Sequence, residues 1–358
     1  MTPSFSPTLL DRMRRSPAWA EDRFANRIET KLEMRPSLSV LKRFAFEGDL
    51  RRPPAPLPSI PVSDAVLRGP AYDGVRATWL GHSTTLIEIA GRRVLLDPVW
   101  SERASPSDLF GPRRFQPVPL AIEAMPLPDV IVLSHDHYDH LDYDAVLSFA
   151  RRGARFVTAL GVGARLERWG VDGAQITELD WWERREAVDG LTIHALPARH
   201  FSGRSIADRD RTLWASWVIE ANGQRVFFGG DGGMDEDNFA RIGEAFGGFD
   251  LAMLEVGAFD PAWASIHLGP ENAVRAMKLM RSKTLLPVHW GTFDLALHAW
   301  DEPIEQLVTF AKDTDLALAL PRIGESVALE RPLPSRAWWR AVRGERAIEI
   351  EPSALRAT

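Results

Sequence analysis

The chain has 358 residues, 45% of them hydrophobic, enough to bury a substantial core as one large domain. It contains no cysteine, which excludes disulfides, thiolate metal sites and a cysteine nucleophile, so any metal must be held by nitrogen and oxygen. The net charge of −6 argues against a nucleic-acid partner, and no apolar run approaches the roughly 20 residues that span a bilayer.

The charge is uneven: residues 1–60 carry 11 Lys/Arg against 7 Asp/Glu. Within them Ala20, Phe24, Ile28 and Leu32 recur every four residues, the apolar stripe of a helix. Leu38, Leu41 and Phe44, with Lys42 and Arg43 beside them, form a second short helical candidate. Such a basic amphipathic piece either packs on the main domain or makes transient contact with an anionic membrane surface. The N-terminus lacks the apolar core of a signal peptide, so cytoplasmic residence is expected, with peripheral contact at the inner membrane left open. Arg51-Arg-Pro-Pro-Ala-Pro-Leu-Pro58 is a stiff connector. The divisions expected are an N-terminal helical extension and connector (1–60), one large domain (61–335) and a C-terminal tail (336–358).

The domain opens with strands over 75–80, 84–90 and 92–97, the last two joined tightly at Ala90-Gly91. His82 follows the first strand and Asp97 ends the third. Each could simply turn the chain; near a metal, a carboxylate such as Asp97 would accept the free ring N–H of a ligand histidine. The segment 100–128 is proline-rich and aperiodic, and its aromatics suit a wall over a site. Then comes Asp129-Val-Ile-Val-Leu-Ser134, a buried-type strand delivering His135, His137, Asp139 and His140 into one short loop. Imidazole and carboxylate together suit zinc, iron or manganese. His135 and His137 can close on one ion, while Asp139 and His140, past the bend, can face a neighbouring one.

A helix over 142–152 follows, acidic at its start and basic at its end. Strand 155–160, a helix around 164–169 and strand 175–179 lead to Trp181-Trp182, of which one should face the core, leaving the other free to line a cavity. Strand 191–199 ends at His200, and the hairpin 214–221/225–230 turns on Asn222-Gly223 and ends at Asp231. Strand 251–256, a helix from Pro270 to Lys283 and strand 285–288 ending at His289 complete the pattern. Strand ends at one rim of an α/β sandwich converge, so His200, Asp231 and His289 should meet the His135 loop. His267 and His298 lie near anchored elements and are the candidates for a general acid; His194, inside a strand, reads as structural.

The His-x-His-x-Asp-His run after an apolar strand resembles the signature of the metallo-β-lactamase superfamily. Trp79-Leu-Gly-His82-Ser-Thr, Arg103-Ala-Ser-Pro-Ser, Gly111-Pro-Arg-Arg-Phe115, Glu178-Leu-Asp-Trp-Trp-Glu183 and Pro287-Val-His289-Trp-Gly-Thr-Phe293 are similar to its N-acyl-phosphatidylethanolamine-hydrolysing phospholipase D branch. The resemblance covers roughly residues 70 to 330, the size of a large single domain. It implies an α/β fold, an αββα sandwich of two mixed sheets flanked by helices. It also implies two divalent ions, zinc first and manganese or iron as alternatives, one on His135, His137 and His200, the other on Asp139, His140 and His289, with Asp231 bridging. Two cations about 3.5–4 Å apart can share a water and present hydroxide as the nucleophile. Asp139, Asp231, His267 and His298 would then act in the chemistry, and His82 and Asp97 would support the ligands. A phosphodiesterase acting on a phospholipid or small molecule is the leading expectation. A lactonase or ester hydrolase, or a non-catalytic metal-binding protein, is the alternative, and a homo-oligomer is left open. The chain departs from the branch at Gly232, where relatives place a hydroxyl residue after the bridging aspartate.

Overall fold

The computed structural model describes residues 5–30, 50–345 and 347–350. Sixteen strands among the described residues are numbered in chain order. After a two-stranded ladder of β1 (Trp19–Ala20) and β2 (Arg23–Phe24) come β3 (Val75–Trp79), β4 (Thr85–Ile89), β5 (Arg92–Leu96), β6 (Val130–Leu133), β7 (Phe156–Ala159) and β8 (Ile176–Leu179). They continue as β9 (Arg184–Val188), β10 (Leu191–Leu196), β11 (Ser216–Ala221), β12 (Gln224–Phe228), β13 (Leu251–Glu255), β14 (Thr284–Val288), β15 (Ala317–Leu318) and β16 (Ser326–Ala328). Two 7-stranded mixed sheets result, ordered β16-β3-β4-β5-β6-β7-β8 and β15-β14-β13-β12-β11-β10-β9, and helices flank them. This is the expected α/β sandwich. All four residues of β6 and all five of β14 are buried, as their unbroken apolar sequences require.

Topology decides where the ligands go. β5 to β8 pair in parallel, and β3 reaches β5 through two antiparallel steps, so β3, β5 and β6 end at the same rim. In the other sheet β12, β13 and β14 are parallel, and β10 shares their direction through β11. The residues beyond the ends of these strands therefore gather at one edge of the sandwich. Both sequence-read hairpins form: Ala90-Gly91 and Asn222-Gly223 each have two positive φ values, at 46° and 73° and at 47° and 75°, the left-handed pair of a type I′ turn.

Several expectations need correction. The stripe Ala20, Phe24, Ile28 is not a helix: Trp19↔Phe24 and Ala20↔Arg23 pair across Glu21 and Asp22, whose φ values are 51° and 60°. Only Phe24 of the three is buried, its ring edge-on to Trp19 at 4.9 Å, so the spacing of four measured a hairpin's arms rather than a helix turn. The N-terminal helix lies earlier, at α1 (Pro7–Arg15), capped by the Ser6 hydroxyl and with Met13 buried. Leu32 and the Leu38, Leu41, Phe44 candidate lie outside the described residues. Strand β9 and the helices Glu236–Phe246 and Glu302–Ala311 were not anticipated. Of the tryptophan pair, Trp181 is buried and donates to the Trp214 carbonyl at 2.7 Å, while Trp182 is exposed beneath the Arg241 guanidinium instead of lining a cavity. Beyond residue 335, where a tail is expected, Trp338 and Trp339 are buried against Trp290. No helix among the described residues is long and apolar enough to cross a membrane.

Candidate metal centre

Three imidazole nitrogens converge beyond β6 and β10. His135 Nε2 lies 2.8 Å from His137 Nδ1, which lies 3.3 Å from His200 Nε2. The far side of two of these rings is fixed: His135 Nδ1 is 2.9 Å from Ser134 Oγ, and His200 Nδ1–H donates to the Ile266 carbonyl at 2.9 Å. Ser134 Oγ–H is committed to Asp97 Oδ2 at 2.5 Å, so the His135 Nδ1 must donate and its Nε2 lone pair faces inward. β10 ends at Leu196, and Pro197-Ala198-Arg199 carries the chain from there to His200, so the expected strand over 191–199 stops short of the ligand.

A second group adjoins the first. His140 Nδ1–H donates to Asp97 Oδ2 at 2.7 Å, which turns His140 Nε2 toward Asp231 Oδ1 (3.1 Å) and Asp139 Oδ2 (3.5 Å). His289 Nε2 lies 3.3 Å from Asp139 Oδ2 and 3.1 Å from Asp231 Oδ2. Asp231 Oδ2 is also 3.8 Å from His200 Nε2, so this carboxylate stands between the groups. His82 Nε2 reaches Asp139 Oδ2 at 3.0 Å with its ring 4.0 Å from that of His289. Non-glycine residues with left-handed backbone mark the site: His82 (φ 52°), Asp97 (φ 37°) and His289 (φ 63°). Such conformations are costly and persist where the surroundings demand a particular side-chain direction. Gly230 has φ 58° and would bring an added Cβ to 2.8 Å from that of Ser134, so the approach to Asp231 requires glycine there.

Electrostatics divides the histidines. Burial, then the other imidazoles, hold His135 and His200 well below the usual histidine range, and burial lowers His137. These effects favour the neutral imidazole, the form that ligates metals. Burial opposes charge on His140 and His289 as well, but Asp231 and Asp139 raise both, His289 to about 10. Burial also works against ionisation of Asp139 and Asp231, yet His140 and, for Asp231, His289 keep both carboxyls well below their ordinary values. The donor set suits a divalent cation on these grounds. Among the described residues, buried Asp231 Oδ1, His140 Nε2 and His289 Nε2 lack a hydrogen-bond partner, and ring nitrogens of His135, His137 and His200, one from each, face one another. The potential ligand atoms of His135, His137 and His200 lie within 4.8 Å of one another, as do those of His82, Asp139, His140 and His289.

His267 borders this cluster, its ring 5.3 Å from His200 and 5.6 Å from His289. Its Nδ1–H donates to Glu255 Oε2 at 2.6 Å, and Glu255 Oε1 accepts from Gly232 N and Leu268 N at 2.8 and 3.0 Å. Against the effect of burial, Glu255 raises the His267 pKa. His298 is not part of the convergence: it stacks on Phe259 at 4.8 Å, gives Nδ1–H to the Ala299 carbonyl, and burial lowers its pKa. His194 pairs with Glu220 in the sheet. Sequence reasoning missed Glu255, though an acid closing the apolar run Leu251-Ala-Met-Leu254 signals a buried carboxylate. It also missed Asp136, Arg165 and Asp208, all three of them buried.

The segment 100–128 reaches the site through Phe115 N, which donates to the Thr292 carbonyl at 2.8 Å, and Arg114, whose guanidinium covers Phe293 at 5.2 Å beside His82. Arg204 lies 3.7 Å over the Tyr138 ring in a cavity of about 530 Å³ that Ser101, Ser105 and Trp169 also line. Arg113 pairs with Glu102, and Arg199 binds Thr30 and the Glu29 and Met234 carbonyls, away from the cluster.

Two mixed sheets with buried His and Asp converging at one rim define the class, a metal-dependent hydrolase fold. The family described as Beta-lactamase superfamily domain matches residues 92–290, and the chain belongs to this metallo-β-lactamase superfamily. An uncharacterised protein of Mycobacterium tuberculosis (strain ATCC 25618 / H37Rv) is 47% identical over 293 residues, 81% of this chain and 77% of its own. N-acyl-phosphatidylethanolamine-hydrolyzing phospholipase D 1 of Caenorhabditis elegans is 39% identical over 234 residues, 62% of this chain and 65% of the worm protein. Among solved structures, the metallo hydrolase Igni18 of Ignicoccus hospitalis aligns with TM-score 0.55 at 23% identity, over 71% of this chain and 97% of its own, a likeness of fold.

Proposed function

We propose that the centre holds two divalent cations and hydrolyses phosphodiesters, with N-acyl-phosphatidylethanolamine-like lipids as the leading substrate class. The observation that carries the reading is the pair of adjoining donor groups with Asp231 between them. His135, His137 and His200 would hold one ion, Asp139, His140 and His289 the other, and Asp231 both. When bound, two such ions activate water and neutralise charge developing on phosphoryl oxygens. The chain's own residues do the rest. Asp97 fixes the His140 ring, with Nδ1–H outward, and through Ser134 the His135 ring. His82 stays neutral, burial and His289 lowering its pKa to about 3, and its Nε2–H restrains Asp139.

His267 is the proton donor to the leaving alkoxide. Glu255 keeps its Nδ1 protonated and favours the charged imidazolium, leaving Nε2–H for donation. His298, held neutral away from the cluster, does not serve. The phospholipid preference draws on the likeness to the worm phospholipase D, and the phosphodiester class on the two-cation donor set. The test is turnover of a phosphodiester panel beside a lactone and carboxylic-ester panel by zinc-loaded protein, with Asp231→Ala as control. Phosphodiester turnover at least about tenfold above the others, abolished in Asp231→Ala, supports the reading. Lactone turnover alone, or equal activity in the variant, overturns it.

A further inference from the structure

Asp136 stands between two histidines of the cluster, and its alternate position directs its side chain away from them. It is fully buried. Its Oδ2 accepts from Arg165 Nη2 at 2.6 Å and Nε at 3.1 Å, and its Oδ1 accepts from Gly203 N at 2.7 Å. Arg165 Nη2 also donates to buried Asp208 Oδ2 at 2.9 Å. Asp208 Oδ1 in turn gathers Arg204 N, Ser205 N and Ser205 Oγ at 3.1, 2.6 and 2.7 Å. One buried guanidinium thus joins the turn that carries His135 and His137 to the segment that begins at His200. Arg165 is itself well placed to be rigid. Its short helix (Gly163–Arg168) is anchored at the start by Glu178 Oε1, which accepts from Gly161 N and Gly163 N at 2.8 Å each.

The second donor group is held without Arg165. His140 is oriented by Asp97, Asp139 by His82, and neither orienting residue is bonded to Arg165. A fork donating to two carboxylates fixes their separation in a way that a single-point cation cannot. We propose that Arg165 is a positioning residue for the three-histidine half of the centre, setting the distance between the His135–His137 turn and His200 by clamping Asp136 and Asp208. The proposal rests on the reading of the site as a two-ion centre.

The experiment is a zinc titration of full-length protein against a chromophoric chelator, with anomalous diffraction at the zinc edge assigning occupancy to the two positions. Arg165→Met should weaken the three-histidine position about 10–100-fold, the range for residues that orient ligands, and leave the other within about threefold. Because Arg165→Met strands two buried carboxylates and could fail to fold, Arg165→Lys and Asp208→Asn are titrated beside it. Lys should recover part of the affinity, and Asn should lose it while keeping the Asp136 pair. A merely structural role would lower both positions together or lower only the melting temperature, and that result, or unchanged affinity in Lys and Asn, overturns the proposal. Wild-type protein that binds no zinc would overturn the two-ion reading as well, which separates the two failures.

Discussion

Asp97 offers a sharp perturbation because it supports both donor groups at once. It is fully buried and accepts from Ser134 N at 2.7 Å, Ser134 Oγ at 2.5 Å and His140 Nδ1 at 2.7 Å. Alanine would strand three buried donors at about 1–3 kcal/mol each, ~3–9 kcal/mol in all. That is comparable with the whole stability of a domain, about 5–15 kcal/mol, so Asp97→Ala should accumulate little folded protein. Asparagine is the informative change. It tolerates the φ of 37° at this position and keeps an acceptor for Ser134 N. Its amide, however, presents N–H where His140 Nδ1–H now donates, so the imidazole must answer with the other tautomer and direct its Nε2–H at Asp231 and Asp139. The same N–H no longer accepts from Ser134 Oγ, which orients His135, so the expected result is a loss of about 10–100-fold in zinc affinity, greatest at the ion that His140 would hold, with a folded circular-dichroism spectrum retained. Chelator competition and thermal melting on the same sample measure both. Two zinc ions bound by Asp97→Asn with wild-type affinity would refute the assignment of Asp97 as the residue that sets the ligand tautomer.

His267→Gln should show a leaving-group dependence. Turnover of alkyl phosphodiesters should fall by about 10²–10⁴, the usual contribution of a general acid, while p-nitrophenyl diesters, whose leaving group needs no proton, change far less. His298→Ala should match wild type on both; the same loss in His298→Ala would reverse the two assignments. Glu178 gives a pH-dependent stability. Its carboxyl rises from 4.5 to about 7, mainly through burial. The folded state therefore holds this proton more tightly than the unfolded state, so wild-type stability relative to Glu178→Gln falls as pH climbs from 4.5 to about 7, by ~3 kcal/mol, and is level outside that window. Urea unfolding of both proteins across the range checks it, and a difference independent of pH would contradict it.

The sandwich and most of the site were legible because each ligand comes after a run whose residues are buried in the sheet. Asp129-Val-Ile-Val-Leu-Ser134 reads as a strand inside a sheet, and the residues beyond its last strand position emerge at the rim. His200, Asp231 and His289 repeat the pattern on the second sheet. Chemistry carried by residues whose type suggests solvent escaped notice. Nothing in the sequence marks Arg165 in a short helix and Asp136 between two histidines as a pair, and only the fold shows that each is the other's counterion. The helices Glu236–Phe246 and Glu302–Ala311 were legible and overlooked: Phe239, Ile242 and Phe246 in the first and Ile304, Leu307, Val308 and Ala311 in the second fall at helical spacing, Asp235 caps the first and Pro303 opens the second. At the N-terminus the reverse occurred: three apolar residues at helical spacing belonged to a hairpin and its flank, because a period seen only three times does not separate a stripe from coincidence.

The most direct test of the central claim is the metal content of the purified protein, coupled to hydrolysis of bis-p-nitrophenyl phosphate before chelation, after it, and after zinc or manganese is restored. The account predicts about two ions per chain, turnover lost on chelation and turnover regained with the second ion rather than the first. Turnover that survives complete removal of metal, or protein that binds no divalent ion, would contradict it.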